Sequence, residues 1–411
     1  MREEWSNKTI GEVTTIINGG TPKSKVSEYW DGDVLWITPK DMGKLDSDYV
    51  SDTSRKISQL GLSKSSAKII PKNSVILSTR APIGHLAINI EPMATNQGCR
   101  GLVPSSFLDT KYLFYFLRKS VSLLNDIGSG TTFKELSKGA LSGVVIPFPP
   151  LPEQKHIVAI LDKAFEGIDT AIANTEKNLA NARELFESYL HSIFVQKGKG
   201  WLQEKMSDVC TGNITDGTHQ TPKYYEDGYI FLSSRNVTSR SIDWENIKYI
   251  DESQHVAMQK RLSPRLNDIL LAKNGTTGYA AIVDRDVVFD IYVSLALLRP
   301  SEKILPRYLL HFVNSPIAKQ QFNKRLKGIG VPNLHLKEIR EVLVSFPEKI
   351  SEQEIIVNKI DNLLVKQKRL ESIYNKKLFT LSELKQSLLN KAFSGELTTI
   401  KDDELRTEEV A

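Results

Sequence analysis

Leu151-Pro152-Glu153-Gln154-Lys155-His156-Ile157 opens a run whose seam positions are Ile157, Leu161, Phe165, Ile168, Ile172, Thr175, Leu179, Ala182, Phe186, Tyr189 and Ile193. After Leu161 the steps alternate four and three, which keeps one apolar seam facing a partner helix. Pro147, Pro149, Pro150 and Pro152 keep a helix from starting earlier. Gly198 and Gly200 mark its end. The pattern predicts a helix of about 45 residues, about 67 Å long. The usual globular helix has only about 11 to 12 residues.

The element recurs. Ser351-Glu352-Gln353-Glu354-Ile355-Ile356 opens a second run through Ile356, Ile360, Leu363, Gln367, Leu370, Tyr374, Lys377, Leu381, Leu384 and Leu388. Gln154 finds Gln353 and Phe194 finds Phe393 at the same offset, so the two helices match without a gap. Two equal seams in one chain can bury themselves by packing on each other. The expected interface is Leu161, Phe165, Ile168, Ile172, Leu179, Phe186 and Ile193 against Ile360, Leu363, Leu370, Tyr374, Leu381, Leu384 and Leu388. Gln367 and Lys377 either fix the register or lie at the seam edge.

The chain has 411 residues, room for two or three domains. Its net charge of +5 is a mild basic bias, compatible with nucleic acid. Cys99 and Cys210 stand far apart, which argues against a disulfide framework or a cysteine zinc site. No apolar run approaches the roughly 18 residues of a membrane span. Met1-Arg2-Glu3-Glu4-Trp5 lacks the apolar core of a signal peptide, so a cytoplasmic location is expected.

Two globular regions accompany the helices. The first, residues 1–147, carries the loop Asn18-Gly19-Gly20-Thr21-Pro22-Lys23 and a strand Val34–Thr38 followed by a loop Pro39–Met42. A second strand, Ser74–Ser78, ends in the turn Thr79–Gly84. A short helix Tyr112–Lys119 and a glycine loop Gly128–Thr132 follow. The second region, residues 199–346, repeats this order. Its loop is Asp216-Gly217-Thr218-His219-Gln220-Thr221-Pro222-Lys223, and its strands are Tyr229–Ser233 and Asp268–Ala272. Its turns are Ser234–Val237 and Lys273–Gly278, and its glycine loop is Gly328–Pro332. The helices fall at 148–198 and 347–397, with a polar tail at 398–411. Strands and seams correspond while loop residues differ. That suits one scaffold reading two targets, or plain drift after duplication.

Catalytic signatures are missing. There is no His-Glu-x-x-His, no Gly-x-x-x-x-Gly-Lys-[Ser/Thr], no Gly-x-Gly-x-x-Gly after a strand and no Gly-x-Ser-x-Gly. An Asn/Asp-Pro-Pro-aromatic tetrad is also lacking. His219 is the one histidine in a suggestive loop, and a lone loop histidine is usually just solvated. Binding remains. The expected DNA contacts are Lys23, Lys40, Arg80 and Lys134 in the first region, and Lys223, Arg235, Asn236, Lys273 and Asn274 in the second. Arg or Lys bridges guanine and Asn bridges adenine, while other lysines hold phosphates. Each of these residues also has a bland reading as solvated loop.

The chain resembles the specificity subunits of type I restriction–modification systems. The resemblance rests on Pro150-Leu151-Pro152-Glu153-Gln154, on Ser351-Glu352-Gln353, on the two Thr-Pro loops, and on the domain–helix–domain–helix order repeated about 200 residues apart. It implies an α+β fold with a pseudo-twofold internal repeat: two similar target recognition domains, each reading half of a bipartite DNA site, separated by the two long helices pairing as an antiparallel coiled coil that serves as a spacer. It implies no catalysis and no cofactor in this chain. S-adenosylmethionine, ATP and magnesium would sit on partners, namely two modification (methyltransferase) subunits and restriction subunits. A protein-only coiled-coil scaffold is the alternative, and a methyltransferase with an unrecognised donor site a third reading.

Overall fold

The computed structural model describes residues 5–130, 134–196, 198, 200–237, 240–275, 277–326 and 333–398. Thr131 and Thr132, Thr276, the loop 328–332 and the tail beyond Thr398 lie outside the described residues. The chain forms two compact units, residues 1–175 with 376–411 and residues 176–375. The helices Leu151–Val195 and Ile350–Ser394 have 45 residues each, and each contributes one half to either unit.

In the first unit the strand Ser74–Thr79 is buried at every position. It lies inside a five-stranded sheet in the order Thr14–Asn18, Cys99–Pro104, Ser74–Thr79, Ile83–Asn89, Tyr49–Val50. Alternation gives its two faces different partners. Val75 and Leu77 join the core that includes Tyr112, Leu113 and Phe116, while Ile76 joins Ile37, Met42 and Met93. A three-stranded sheet of Arg55–Ile57, Trp30–Ile37 and Ala94–Thr95 completes the domain. Pro39–Met42, expected as a loop, is a one-turn helix. Thr38 caps it and Pro39 supplies the fixed φ of its first turn.

The second unit repeats this plan. Ile269–Ala272 is buried throughout, in a sheet ordered Thr215–Asp216, Leu295–Leu298, Ile269–Ala272, Ala280–Ile282. Ile269 and Leu271 face one core, Leu270 and Ala272 another. Tyr229–Leu232 pairs antiparallel with Lys248–Ile250 and parallel with Phe289–Ile291. In each unit a two-stranded ribbon leads into a long helix: Ser6–Thr9 with Val145–Phe148, and Trp201–Lys205 with Leu343–Pro347.

One glutamine anchors each helix start. Gln154 is fully buried; its amide donates to the Phe107 and Pro149 carbonyls at 3.0 and 2.9 Å, and its oxygen accepts from the Asp109 N–H at 2.9 Å. Gln353 makes the same set with Lys303, Pro347 and Leu305, each at 2.9 Å. The short helices Thr110–Lys119 and Pro306–Val313 dock alongside. The Tyr112 hydroxyl donates to Pro147 O and the Tyr308 hydroxyl to Ser345 O, both at 2.9 Å. Burial pushes both phenols well above their ordinary pKa.

Within each unit the long helices run antiparallel. In the first, Glu153 lies 3.3 Å from Thr398 and Asp169 pairs with Lys385. In the second, Arg183 pairs with Glu371 at 2.6 Å. Leu161, Phe165, Ile168, Phe186 and Ile360 are buried. Ile172, Leu179, Ile193, Leu363, Tyr374, Leu381 and Leu388 are half-buried. Leu370 and Leu384 depart from the expected seam, being 41% and 45% exposed. The half-buried positions are Glu371 and Lys385, one residue later, and Lys377 is exposed while Leu378 turns inward. Each of these two charges reaches an opposite charge on the other long helix, so a polar residue holds the seam where a leucine was expected. Gln367 is half-buried within it.

Candidate nucleic-acid interface

In the first unit three loops converge on the tight turn Asn96-Gln97-Gly98. The turn closes with the Cys99 N–H on Asn96 O at 3.1 Å and the Gly98 N–H on the Asn96 side chain at 3.0 Å. Gly20 N–H donates to Thr95 O at 2.8 Å. A Cβ at Gly19 would fall 1.8 Å from Asn96 O, so the close approach requires glycine. Asn96 N–H donates to Ile37 O, holding the turn against the strand that feeds Thr38, and Thr79 N–H donates to Gly98 O next to Arg80. The Thr21 hydroxyl bonds the Gln97 carboxamide.

Tyr292-Val293-Ser294 plays this part in the second unit. Thr218 N–H donates to Ile291 O at 3.0 Å and Val293 N–H to Thr218 O at 2.9 Å. Tyr292 N–H donates to Leu232 O and Lys273 N–H to Ser294 O, both at 2.9 Å. Ser234 N–H donates to the Ser294 hydroxyl at 3.0 Å. A Cβ at Gly217 would sit 1.8 Å from Ile291 O, the same constraint as at Gly19.

Lys23, Lys40 and Lys134 in the first unit, and Lys223 and Arg235 in the second, are exposed; Arg80 and Asn274 are half-buried. Lys40 and Arg235 hold equivalent places, each inside a capping box: Thr38 with Asp41, Ser233 with Asn236. Burial pushes the Asp41 carboxyl up, but hydrogen bonds from Ser54 and Thr38 outweigh it and hold it below its ordinary value. Two expected contacts lie inside. Asn236 is 6% exposed: its oxygen accepts from Ser233 N–H at 2.9 Å and its amide donates to Asn246 O at 3.0 Å. It is a cap and has no free edge for a base. Lys273 is 5% exposed, its ammonium 3.2 Å from the Asp216 carboxylate, because its strand is covered on both faces.

Arg80 and Asn274 also correspond. Arg80 bridges to Glu135 and Asn274 to Asn333, and in each case the following leucine, Leu136 or Leu334, donates to the residue before the bridge. The Arg80 guanidinium lies 3.9 Å from Glu135. The second unit replaces this charged pair with two carboxamides whose oxygens are buried and unbonded.

The sequence reading missed Gln97, exposed at the centre of the first cluster, and Tyr292 at the second. It also missed Lys248, stacked 3.9 Å above Tyr224, and Arg55, 3.9 Å above Trp30. Their signal was a basic residue near aromatics far away in sequence, which no local pattern exposes. Among the described residues no group of three or more His, Cys, Asp and Glu is placed to hold a metal ion, and no helix is long and apolar enough to cross a membrane.

Residues 2–181 and 199–390 match the family described as the type I restriction modification DNA specificity domain. The chain is 28% identical to the type I restriction enzyme MjaIX specificity subunit of Methanocaldococcus jannaschii, over 96% of this chain and 94% of that protein. It is 24% identical to the EcoKI specificity subunit of Escherichia coli, over 97% and 90%. A chain of a solved type I restriction–modification system shares its fold with a TM-score of 0.77 at 21% identity, covering 97% of this chain and 99% of that one. The HsdS subunit from Thermoanaerobacter tengcongensis does so with a TM-score of 0.56 at 19% identity, covering 97% and 98%. The chain belongs to the type I restriction–modification specificity family, with two copies of its domain.

Proposed function

We propose that this member of the type I specificity family is the non-catalytic DNA-reading subunit of its complex, each unit reading one half of a bipartite duplex site. One observation carries the reading. Both units close three loops on one tight turn through the same backbone bonds, and the side chains presented there differ: Lys40 against Arg235, Arg80 against Asn274, Gln97 against Val293. A retained frame with changed contacts is what two different half-sites require. Lys23, Lys134 and Lys223 hold phosphates, while Arg80 and Asn274 approach bases. Asn236 and Lys273 support the loops from within.

The paired helices set the spacing and dock two modification subunits, which bring S-adenosylmethionine. Restriction subunits bring ATP and magnesium chemistry. The test is methylation by the reconstituted complex, read at every position of a random-sequence library in near-physiological salt. A split motif that vanishes without this chain is expected. Methylation without sequence preference would leave the protein-only scaffold as the surviving account.

A further inference from the structure

Asp216 is 3% exposed and gathers three basic side chains. Its carboxylate lies 3.0 Å from Arg261, 3.2 Å from Lys273 and 3.2 Å from His219. Arg261 and Lys273 share this one carboxylate, which can neutralise only one of the two basic side chains. Lys273 stays inside, but the side chains of Arg261 and His219 are 48% and 64% exposed. They stand on a cavity of about 530 Å³ between the loop Gly217–Pro222 and the helix Glu252–Arg261, with Ala257, Met258 and Ile291 in its wall. Asp290 also lines the cavity, and its carboxylate is engaged by His255 at 2.7 Å and Gln259 at 2.9 Å.

At the matching place the first unit has Asn18 instead of a carboxylate, and its own carboxylate shared by two cations is Glu135, 3.9 Å from both Arg80 and Arg100. Asn18, in the matching strand, takes the Arg100 Nε–H at 3.1 Å, and Arg100, 9% exposed, turns inward toward Leu136 O and Glu135. We propose that Arg261 and His219, oriented by Asp216, form a seat for one backbone phosphate of the half-site bound by the second unit, a contact that the first unit lacks at Asn18. This rests on the DNA-reading function above. A phosphate contact fixes register without carrying sequence information, so the seat strengthens binding and leaves the motif alone.

The experiment uses the complete complex with its modification subunits and duplexes carrying the cognate site, with one phosphate at a time replaced by a neutral methylphosphonate. At one position in a single half-site, neutralisation is expected to weaken the wild type about ten-fold and Arg261→Gln no further than that substitution already does. The slope of log affinity against log salt should fall by about one in Arg261→Gln and recover in Arg261→Lys. His219→Gln should lose less, at the same phosphate. Lys273 keeps Asp216 paired in all three variants, which preserves the fold. Equal losses for wild type and Arg261→Gln at every position, or an unchanged salt slope, would overturn the seat. So would competition by a free mononucleotide at duplex-blocking strength, which would assign the cavity to a small ligand. A wild-type complex with no preference for the cognate duplex would instead overturn the DNA-reading function itself.

Discussion

Arg183 Nε lies 2.6 Å from Glu371 Oε1, joining a largely exposed residue of one long helix to a seam position of the other. This pair sets the phase of the second helix: Glu371 faces inward, so Leu370 faces out. Ile360→Ala is therefore expected to cost about 2–5 kcal/mol. Leu370→Ala and Leu384→Ala should each cost about 0.5 kcal/mol or less. Urea unfolding of the full chain checks this; a Leu370→Ala loss as large as that of Ile360→Ala would restore the leucine seam.

Gln353→Ala removes one side chain that satisfies three backbone groups at once, Leu305 N–H and the Lys303 and Pro347 carbonyls. Leaving buried polar groups unpaired costs about 1–3 kcal/mol each, part of which water recovers at the partly open ones. A loss of about 3 kcal/mol is expected for Gln353→Ala, and a similar one for Gln154→Ala. Denaturant midpoints measure both, and a loss below about 1 kcal/mol would show that the clamp is replaceable.

Asp361 ties the helix Pro306–Val313 to the long helix through His311 at 2.8 Å and Arg307 at 2.9 Å. Partial burial pushes its carboxyl up, but hydrogen bonds from His311 and Arg307 outweigh it and bring the pKa down from 3.8 to about 2. A carboxylate with a depressed folded pKa contributes stability that is complete above its unfolded value and lost as pH falls through its folded one. The stability difference between wild type and Asp361→Asn should therefore hold steady above about pH 5 and shrink between about pH 4 and 2. Parallel acid titrations of unfolding free energy read it directly. A constant difference down to pH 2 would dissociate Asp361 from the acid response.

Much of the architecture was legible because it rests on local signals. The prolines before Leu151, the three-four steps through Phe165 and Phe186, and the Gln154–Gln353 correspondence each need only the chain itself. The seam of the second helix was legible only in part. Glu371 and Lys385 turn inward because Arg183 and Asp169 meet them from another helix, information that hydropathy does not hold. Asn236 was misassigned although its signal was present: Ser233-x-x-Asn236 has the spacing of Thr38-x-x-Asp41, a capping box that buries its last member. The clusters around Asn96-Gln97-Gly98 and Tyr292-Val293-Ser294 depend on hydrogen bonds between segments far apart in sequence, so the loops could be named but not assembled.

If the helices act as a spacer, removing one heptad from each, residues 172–178 and 376–382, keeps the antiparallel register and the facing of both seams. It shortens the pair by about 10 Å. The gap between the two halves of the methylated motif should shrink while the halves keep their sequence. Sequencing of methylated positions decides it, and altered half-sites with an unchanged gap would remove the spacer role.

Arg80 and Asn274 occupy the same place in the two units, so their substitutions should act on different halves of one motif. Arg80→Ala is expected to relax a single base pair in one half-site by about 1–3 kcal/mol, and Asn274→Ala a single base pair in the other. Asn236→Ala separates reading from support. Its carboxamide bonds only protein groups, the backbone and the Ser233 hydroxyl, so its loss should lower stability by about 1 kcal/mol and leave the motif intact. Methylation profiles of the three variants beside their unfolding midpoints test all of this together. Relaxation of both halves by Arg80→Ala would mean that this bridge supports the fold of its unit and does not touch a base, because a base contact reaches only the half-site it faces.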